Sequence, residues 1–589
     1  MYLRKAYMFA SIAIILLISG CASSVNVATQ ISQQQGLNPE EGILTARVIN
    51  TSSYSLPFNQ IYIAPKEVNS AKEVKPFIAY AEDRPIGDSA LFAVSLPPGE
   101  YSLSVVSSFV FRGNGYYSRA AFADPEFGVF KVEANKVTDL GTIVYYPKPE
   151  GERYANLLAR VPGTAEGNLL GRYFPQYAAK ANNVLSWDED ELEEDRFLTY
   201  ATIAQNPLEF SDIVAAPDGS IYLLGKLGVI LRYSSEDGFE TLAVETDLAL
   251  NSFDQNDAGA RITGGHEGAL FYQDPGQDWQ AINIPEKVTV HHVSFYQENQ
   301  FDVVYSTKND VNIVRYNTED LNTPSTLNTY TYRTGWDLLQ EKQITEKSLK
   351  KMAKRKAAKK REIGSVFVSE KGDKREISVS VFISGQWDYF NAGDLDGFAY
   401  QPDTWEMREV EENDEEMDII LNAGMAELGI KLPGFWSWDG MPQYYTRANE
   451  NATWQETATR IESCDSGKEP NAKGYCVVNG KVYDPKRKSF SFISKPWFWN
   501  AQEGLAIVSF SDISFWSGER SQETKILLTS DGGASWEESD LSLPNEYCVT
   551  IVTEIKDRIL LSCDGASSDF YESTDLGESW QHIRQQQAF

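Results

Sequence analysis

Two eight-residue strings near the end of the chain are almost the same: Thr529-Ser530-Asp531-Gly532-Gly533-Ala534-Ser535-Trp536 and Ser573-Thr574-Asp575-Leu576-Gly577-Glu578-Ser579-Trp580. Their aspartates lie 44 residues apart. A third string from Tyr272 to Trp279 keeps Asp274, Gly276 and Trp279, and a worn fourth runs from Asn449 to Trp454. From about residue 203 to the end, apolar strand-like runs and turns recur with a rough period of 42–44. That period, with four strands per unit, is expected of a radial propeller whose sheets bury their faces against one another. Residues 203–589, less one insertion, hold about eight units at most, and seven blades are expected.

The residue types in these strings explain a turn. An Asp carboxylate can accept hydrogen bonds from amides of its own turn, Gly supplies the permissive backbone angle, and Trp packs between neighbouring sheets. The strings resemble the BNR or Asp-box repeat, Ser/Thr-x-Asp-x-Gly-x-Ser/Thr-Trp, of sialidase-like, sortilin-like and photosystem-assembly-factor propellers. The resemblance implies a structural role for Thr529, Asp531, Gly533 and Trp536, for Ser573, Asp575, Gly577 and Trp580, and for their worn counterparts.

At the other end of the chain, Arg4 and Lys5 precede the apolar run Met8–Ile18 and then Ser19-Gly20-Cys21. A run of eleven residues, apolar but for Ser11, is too short to span a bilayer as a helix, whereas a basic start, a short apolar run and small residues at a cut describe a secretory signal. The segment resembles a bacterial lipoprotein signal peptide with a lipobox. It implies cleavage after residue 20, acylation of Cys21 and a membrane anchor of several chains. With Ala22 and Ser23 after the Cys and no Asp, the outer membrane is the expected destination. Residues 21–39, rich in Ser, Gln and Asn, read as a flexible tether.

Removing Cys21 leaves Cys464, Cys476, Cys548 and Cys563, an even number suited to an oxidising compartment. Local pairing, Cys464 with Cys476 and Cys548 with Cys563, is the preferred reading. A four-thiolate zinc site lacks the short ligand spacing it would need.

Residues 40–148 alternate apolar and polar in short runs: 43–48, 60–64, 77–81, 90–96, 101–109, 128–132 and 140–146. Period-2 runs broken by Pro, Gly and Asn point to a β-sandwich. Leu96-Pro97-Pro98-Gly99-Glu100-Tyr101 is similar to a turn in transthyretin-like and carboxypeptidase-regulatory-like modules, which are accessory domains. Residues 149–202 read as a connector with a helix, from the spacing of Tyr154, Leu157 and Leu158, and an acidic run at 188–195 taken as a solvated face. The fold class is therefore all-β, a sandwich then a propeller, with a short helical connector and one basic helical insertion.

That insertion, 342–361, holds ten Lys or Arg and one acid. It is a +9 island in a chain of net charge −31, leaving −40 elsewhere. Most simply it is a solvated helix, and Lys350, Lys351, Lys354, Arg355, Lys359 and Lys360 would also suit anionic lipid or lipopolysaccharide. Nucleic acid is not an expected partner, because the net charge opposes it and no aromatics interleave with the basic residues.

No phosphate loop, Gly-x-Ser-x-Gly or His-Glu-x-x-His string occurs. His291-His292 falls in a strand-like run, where neighbours should point to opposite faces and could not chelate together. No catalytic residue, metal or cofactor is expected. The reading is a lipid-anchored envelope protein whose propeller binds or scaffolds a protein or glycan. The alternative is a sialidase-like glycoside hydrolase, which would show convergent arginines and a Tyr–Glu pair at the propeller centre.

Overall fold

A computed structural model describes residues 25–584 except 34–37, 53–57, 67–74, 83–88, 113–114, 151–152, 162–168, 181–183, 217, 235, 286–287, 308–309, 332–360, 372–373, 384–395, 401–407, 410–416, 418, 432–442, 450–451, 464–468, 471–474, 479–480, 484–485, 514–519, 546–547, 553–557 and 564–568. The signal segment with Cys21, Cys464, and the insertion with Lys350, Lys351, Lys354, Arg355, Lys359 and Lys360 lie outside the described residues. Arg361, the insertion's last residue, opens a strand, Arg361–Lys371, and so is not helical. The chain divides into two compact units, Met1–Ile203 and Ala204–Phe589.

The first unit is a sandwich of two six-stranded sheets. Alternation works as period 2 requires: Ile61, Ile63, Ala79 and Val106 point into the core, and Tyr62, Ile78 and Val105 point away from it. The Pro-Pro-Gly turn is closed by the Tyr101 hydroxyl, which donates to the Pro97 carbonyl at 2.8 Å, in the manner of a tyrosine corner.

The tether expectation is corrected here. Asn26–Val27 pairs in parallel with Phe77 and Ile78, and Thr29–Gln30 pairs with Ser95 and Val94 of the other sheet. Ala28 and Ile31 between and after them are buried. A polar segment is held because its backbone completes two sheet edges while two apolar side chains reach cores, which average composition conceals.

The connector is also corrected. Arg153–Val161 is a strand, paired along its length with Val137–Glu150, so Tyr154, Leu157 and Leu158 are not helical. The helices lie later, at Leu169–Tyr173 and Glu193–Gln205. The first caps a polar core: the Leu169 amide donates to Asp139 at 2.6 Å, and the fully buried Arg47 donates to the Tyr173 hydroxyl at 2.5 Å. Burial pushes the Asp139 carboxyl up, while the Gly141 and Leu169 amides oppose the rise.

The acidic run is not wholly a solvated face. Glu193 pairs with Arg160, whose side chain is buried over the Trp187 ring, and Asp190 pairs with Arg196 at 2.6 Å. Burial lowers Arg160 to about 10, with Glu193 opposing the shift.

The second unit holds, among the described residues, seven antiparallel sheets of four or more strands, formed in chain order. The first is Phe210–Ala215, Ile221–Gly225, Val229–Ser234 and Gly238–Ala243, and the seventh is Cys548–Ile551, Ile559–Cys563, Phe570–Ser573 and Gln581–Arg584. The second strand of the first blade reads as an apolar run because it serves two cores. Ile221 and Leu223 enter the cluster shared with the seventh blade, and Tyr222 and Leu224 enter the cluster shared with the second. The unit is a propeller. Its ring closes where Phe570 packs on Phe210 and Phe239, at centroid distances of 5.8 and 4.6 Å.

Candidate functional site: the propeller ring

The two near-identical strings form the same turn between the last two strands of their sheets. In one, the Ser535 amide and hydroxyl donate to the Asp531 carboxylate at 2.8 and 2.6 Å, and the Gly533 amide donates to Thr529 Oγ1 at 2.9 Å. In the other, the Ser579 amide and hydroxyl donate to Asp575 at 2.8 and 2.5 Å, and the Gly577 amide donates to Ser573 Oγ at 2.8 Å. Gly533 and Gly577 have φ of 91° and 92°, in the region that favours glycine. The Ser579 hydroxyl and amide and the Ser573 hydroxyl hold the Asp575 carboxyl below its usual range.

Each turn also ties its blade to the one before. The Ala458 amide of the preceding segment donates to the Gly533 carbonyl at 3.1 Å, and Trp536 enters the core shared by blades five and six. Trp580 packs on the next core and donates to the Ser542 carbonyl at 3.1 Å.

The worn copies occupy the same place in their blades with different bonding. Asp274 accepts from the Tyr272 hydroxyl at 2.6 Å, while Gly276 turns with φ of 74° and Trp279 packs on the core between blades one and two. Without Ser or Thr at positions 272 and 278 the turn loses the donors that hold Asp531 and Asp575. The Asn449 carbonyl accepts from the Ala452 amide at 3.0 Å, and Trp454 lies under the Arg447 guanidinium at 4.3 Å.

Sequence reasoning missed the inner strands' shared device. In five of seven, the register slips by one residue near the start, at Ser211, Asn251, His291, Gly364 and Val549. The first three are 40 residues apart. A bulge puts residues n and n+3 on one face, and the pairs Phe210/Ile213, Leu250/Phe253, Val290/Val293, Ile363/Val366 and Cys548/Ile551 each enter a single core toward the preceding blade. Apolar residues at n and n+3 recurring every 40 residues were the available signal.

The extra residue can then reach the following blade: Ser211 donates to the Leu250 carbonyl, and Asn251 to the Val290 carbonyl at 3.3 Å. Blades two and three are further joined by the Val293 amide to Ser252 Oγ at 3.0 Å and the Phe295 amide to Asp254 at 2.7 Å. Gly264 lies against them, where an added Cβ would meet Val290 Cγ1 at 2.4 Å.

The expectation of opposite faces for His291 and His292 is overturned by this bulge, since Val290 and Val293 already share one face. His291 Nε2 meets Ser306 Oγ at 2.7 Å. Burial, with a small contribution from His266, lowers His291 to about 3, so its ring is neutral. Among the described residues no three His, Cys, Asp or Glu side chains gather as a metal site requires.

A Tyr–Glu pair does exist. The Tyr233 hydroxyl donates to Glu572 at 2.6 Å, and Arg558 pairs with the same oxygen at 3.1 Å. It joins the third strands of the first and seventh blades, away from the inner strands, and both partners are buried. Burial, then the Glu572 carboxylate, push Tyr233 up to about 12, the reverse of what a nucleophilic phenolate needs. The arrangement is a clasp between chain ends.

Cys548 and Cys563 face one another across the first two strands of the seventh blade and form a disulfide. Cys476 is buried and disulfide-bonded.

The sequence matches no protein-family model and no curated protein. Among solved structures, similarity extends to YCF48 from Cyanidioschyzon merolae, with 14% identity over 62% of this chain and 97% of that one at a TM-score of 0.33. It also extends to the Myceliophteria thermophila Cps50 (Swd1) β-propeller domain, with 10% identity over 60% and 93% at 0.31. A third is Saccharomyces cerevisiae Sqt1, with 12% identity over 64% and 86% at 0.26. The propeller assignment itself rests on strand order, the shared cores and the closing junction.

Proposed function

We propose that this chain is an outer-membrane lipoprotein, acylated on Cys21, whose propeller binds or scaffolds a protein or glycan partner of the cell envelope without bond chemistry. The string before Cys21 supports the location, and the bonding of Asp531 and Asp575 supports membership of the Asp-box propellers. The observation that carries the non-catalytic reading is the Tyr233–Glu572–Arg558 clasp. The groups closest in type to a sialidase nucleophile are buried between blades with the phenol's proton held tightly. What remains for recognition are the loops on the two propeller faces, gathered from every blade.

Crosslinking and affinity recovery from native envelopes test this reading. A reproducible protein partner or an unmodified glycan supports it, and glycan turnover by the purified chain overturns it. The basic insertion belongs to the same proposal as a contact for anionic lipid or lipopolysaccharide. Deleting 342–361 should lower recovery with anionic vesicles, and unchanged recovery removes that contact.

A further inference from the structure

The outer face of one sandwich sheet carries an unusual row. Its strands lie in the order Asn26–Val27, Phe77–Tyr80, Gln60–Pro65, Gly99–Arg112 and Gly115–Phe122. Their register aligns Val27 with Ile78, Ile78 with Tyr62, Tyr62 with Val105, and Val105 with Phe122. The neighbours Ala28, Ala79, Ile61, Val106 and Ala121 enter the core, so the five aligned side chains all point away from it. Phe122 is 74% exposed and Val27 63%. At strand spacing the row is about 19 Å long.

The next row, Tyr80, Gln60, Ser107 and Ala120, carries no charge either. In a chain that is 23% Asp, Glu, Lys and Arg, a solvent-facing sheet would ordinarily place charges there. Apolar and tyrosine side chains without charge suit the boundary between headgroups and acyl chains, where an amphipathic ring has one apolar and one wet side.

The N-terminal strand says what lies opposite. Val27 belongs to the row and is six residues from Cys21, a reach of at most about 20 Å even if fully extended. We infer that this face, with Phe122 and Val27 at its ends, rests on the lipid bilayer. The sheet thus sets how the protein lies against the membrane, beyond merely tethering it. The inference depends on the lipid-anchor reading for its occupant.

The test uses the full acylated chain in vesicles of phosphatidylethanolamine and phosphatidylglycerol, with a polarity-sensitive fluorophore at Ala120→Cys and, in a second protein, at Ala134→Cys on an exposed turn of the same sandwich. Brominated lipids should quench the first label about threefold or more over the second, and Phe122→Asp should abolish the difference. Equal quenching overturns the inference. So does a label shielded only in native envelopes, which would assign the face to a protein partner.

Mass spectrometry of the N-terminal peptide tests the anchor separately. Acyl chains without quenching leave the anchor standing and remove the docked face. If Cys21 carries no acyl chain, flotation of the chain with these vesicles, lost in Phe122→Asp, still supports the face, and absence of flotation overturns it. Phe122 projects outward, so its substitution leaves the core intact.

Discussion

The junction between blades two and three and the junction between blades seven and one solve the same problem differently. The first joins segments about 40 residues apart and relies on polar groups of the inner strands: Asn251 to the Val290 carbonyl, and Ser252 and Asp254 to amides of the next blade. The second joins residues 339 apart and relies on side chains, with Phe570 between Phe210 and Phe239 and with Tyr233 on Glu572. A neighbour delivered by the chain can be matched amide by amide. A neighbour that arrives from the far end has higher loop-closure entropy to overcome, and broad apolar burial is the stronger compensation.

The comparison breaks most readily at Phe570. Phe570→Ala should cost about 3–5 kcal/mol and open the seventh–first junction first, read as early hydrogen exchange in Phe570–Ser573 against slow exchange in Thr289–Gln297. Uniform loss in both strands would mean that the two junctions fail together. At the other junction, Gly264→Ala places a methyl against Val290 and should cost about 1–3 kcal/mol by denaturant titration, with early exchange reversed to Thr289–Gln297.

Tyr233→Phe should cost about 1 kcal/mol and remove an alkaline transition. With its folded value raised to about 12, Tyr233 stabilises the ring fully below pH 10 and loses that contribution as pH rises toward 12. His291 has the opposite sign. Its lowered value of about 3 gives stability present above pH 6.5 and lost as pH falls from there toward 3, so acid should loosen the third blade where alkali loosens the seventh–first junction. Exchange rates of the same two strands at pH 4 and pH 11 check both signs. The smallest contrast lies in the turns: Asp531→Ala should cost about 2 kcal/mol and Asp274→Ala about 1 kcal/mol, because the former loses bonds to Ser535 and Thr529 and the latter only the one from Tyr272.

What the sequence could and could not reveal follows from how local each device is. The turns at 529–536 and 573–580 were legible because Asp, Gly, Ser and Trp act within eight residues. The inner-strand bulges were not, since Ser211, Asn251 and His291 share a position but no chemistry, and the n, n+3 pairs they create resemble helical spacing. That ambiguity also misled the reading of Leu157 and Leu158, which belong to a long strand. Asn26–Gln30 looked like a tether because its ordering comes from Phe77, Ile78, Val94 and Ser95, far along the chain. The clasp of Tyr233 with Glu572 has no local signature at all.

Among the described residues no strand crosses the closing junction: the seventh blade takes all four of its strands in sequence, and Arg584 near its end donates to the Gln205 carbonyl at the propeller's start at 3.0 Å. A ring built this way has no seam in its hydrogen-bonded sheets. Its chain could be cut in another inter-blade loop and its ends rejoined without unpairing a strand, so a circular permutant of the propeller should keep every sheet.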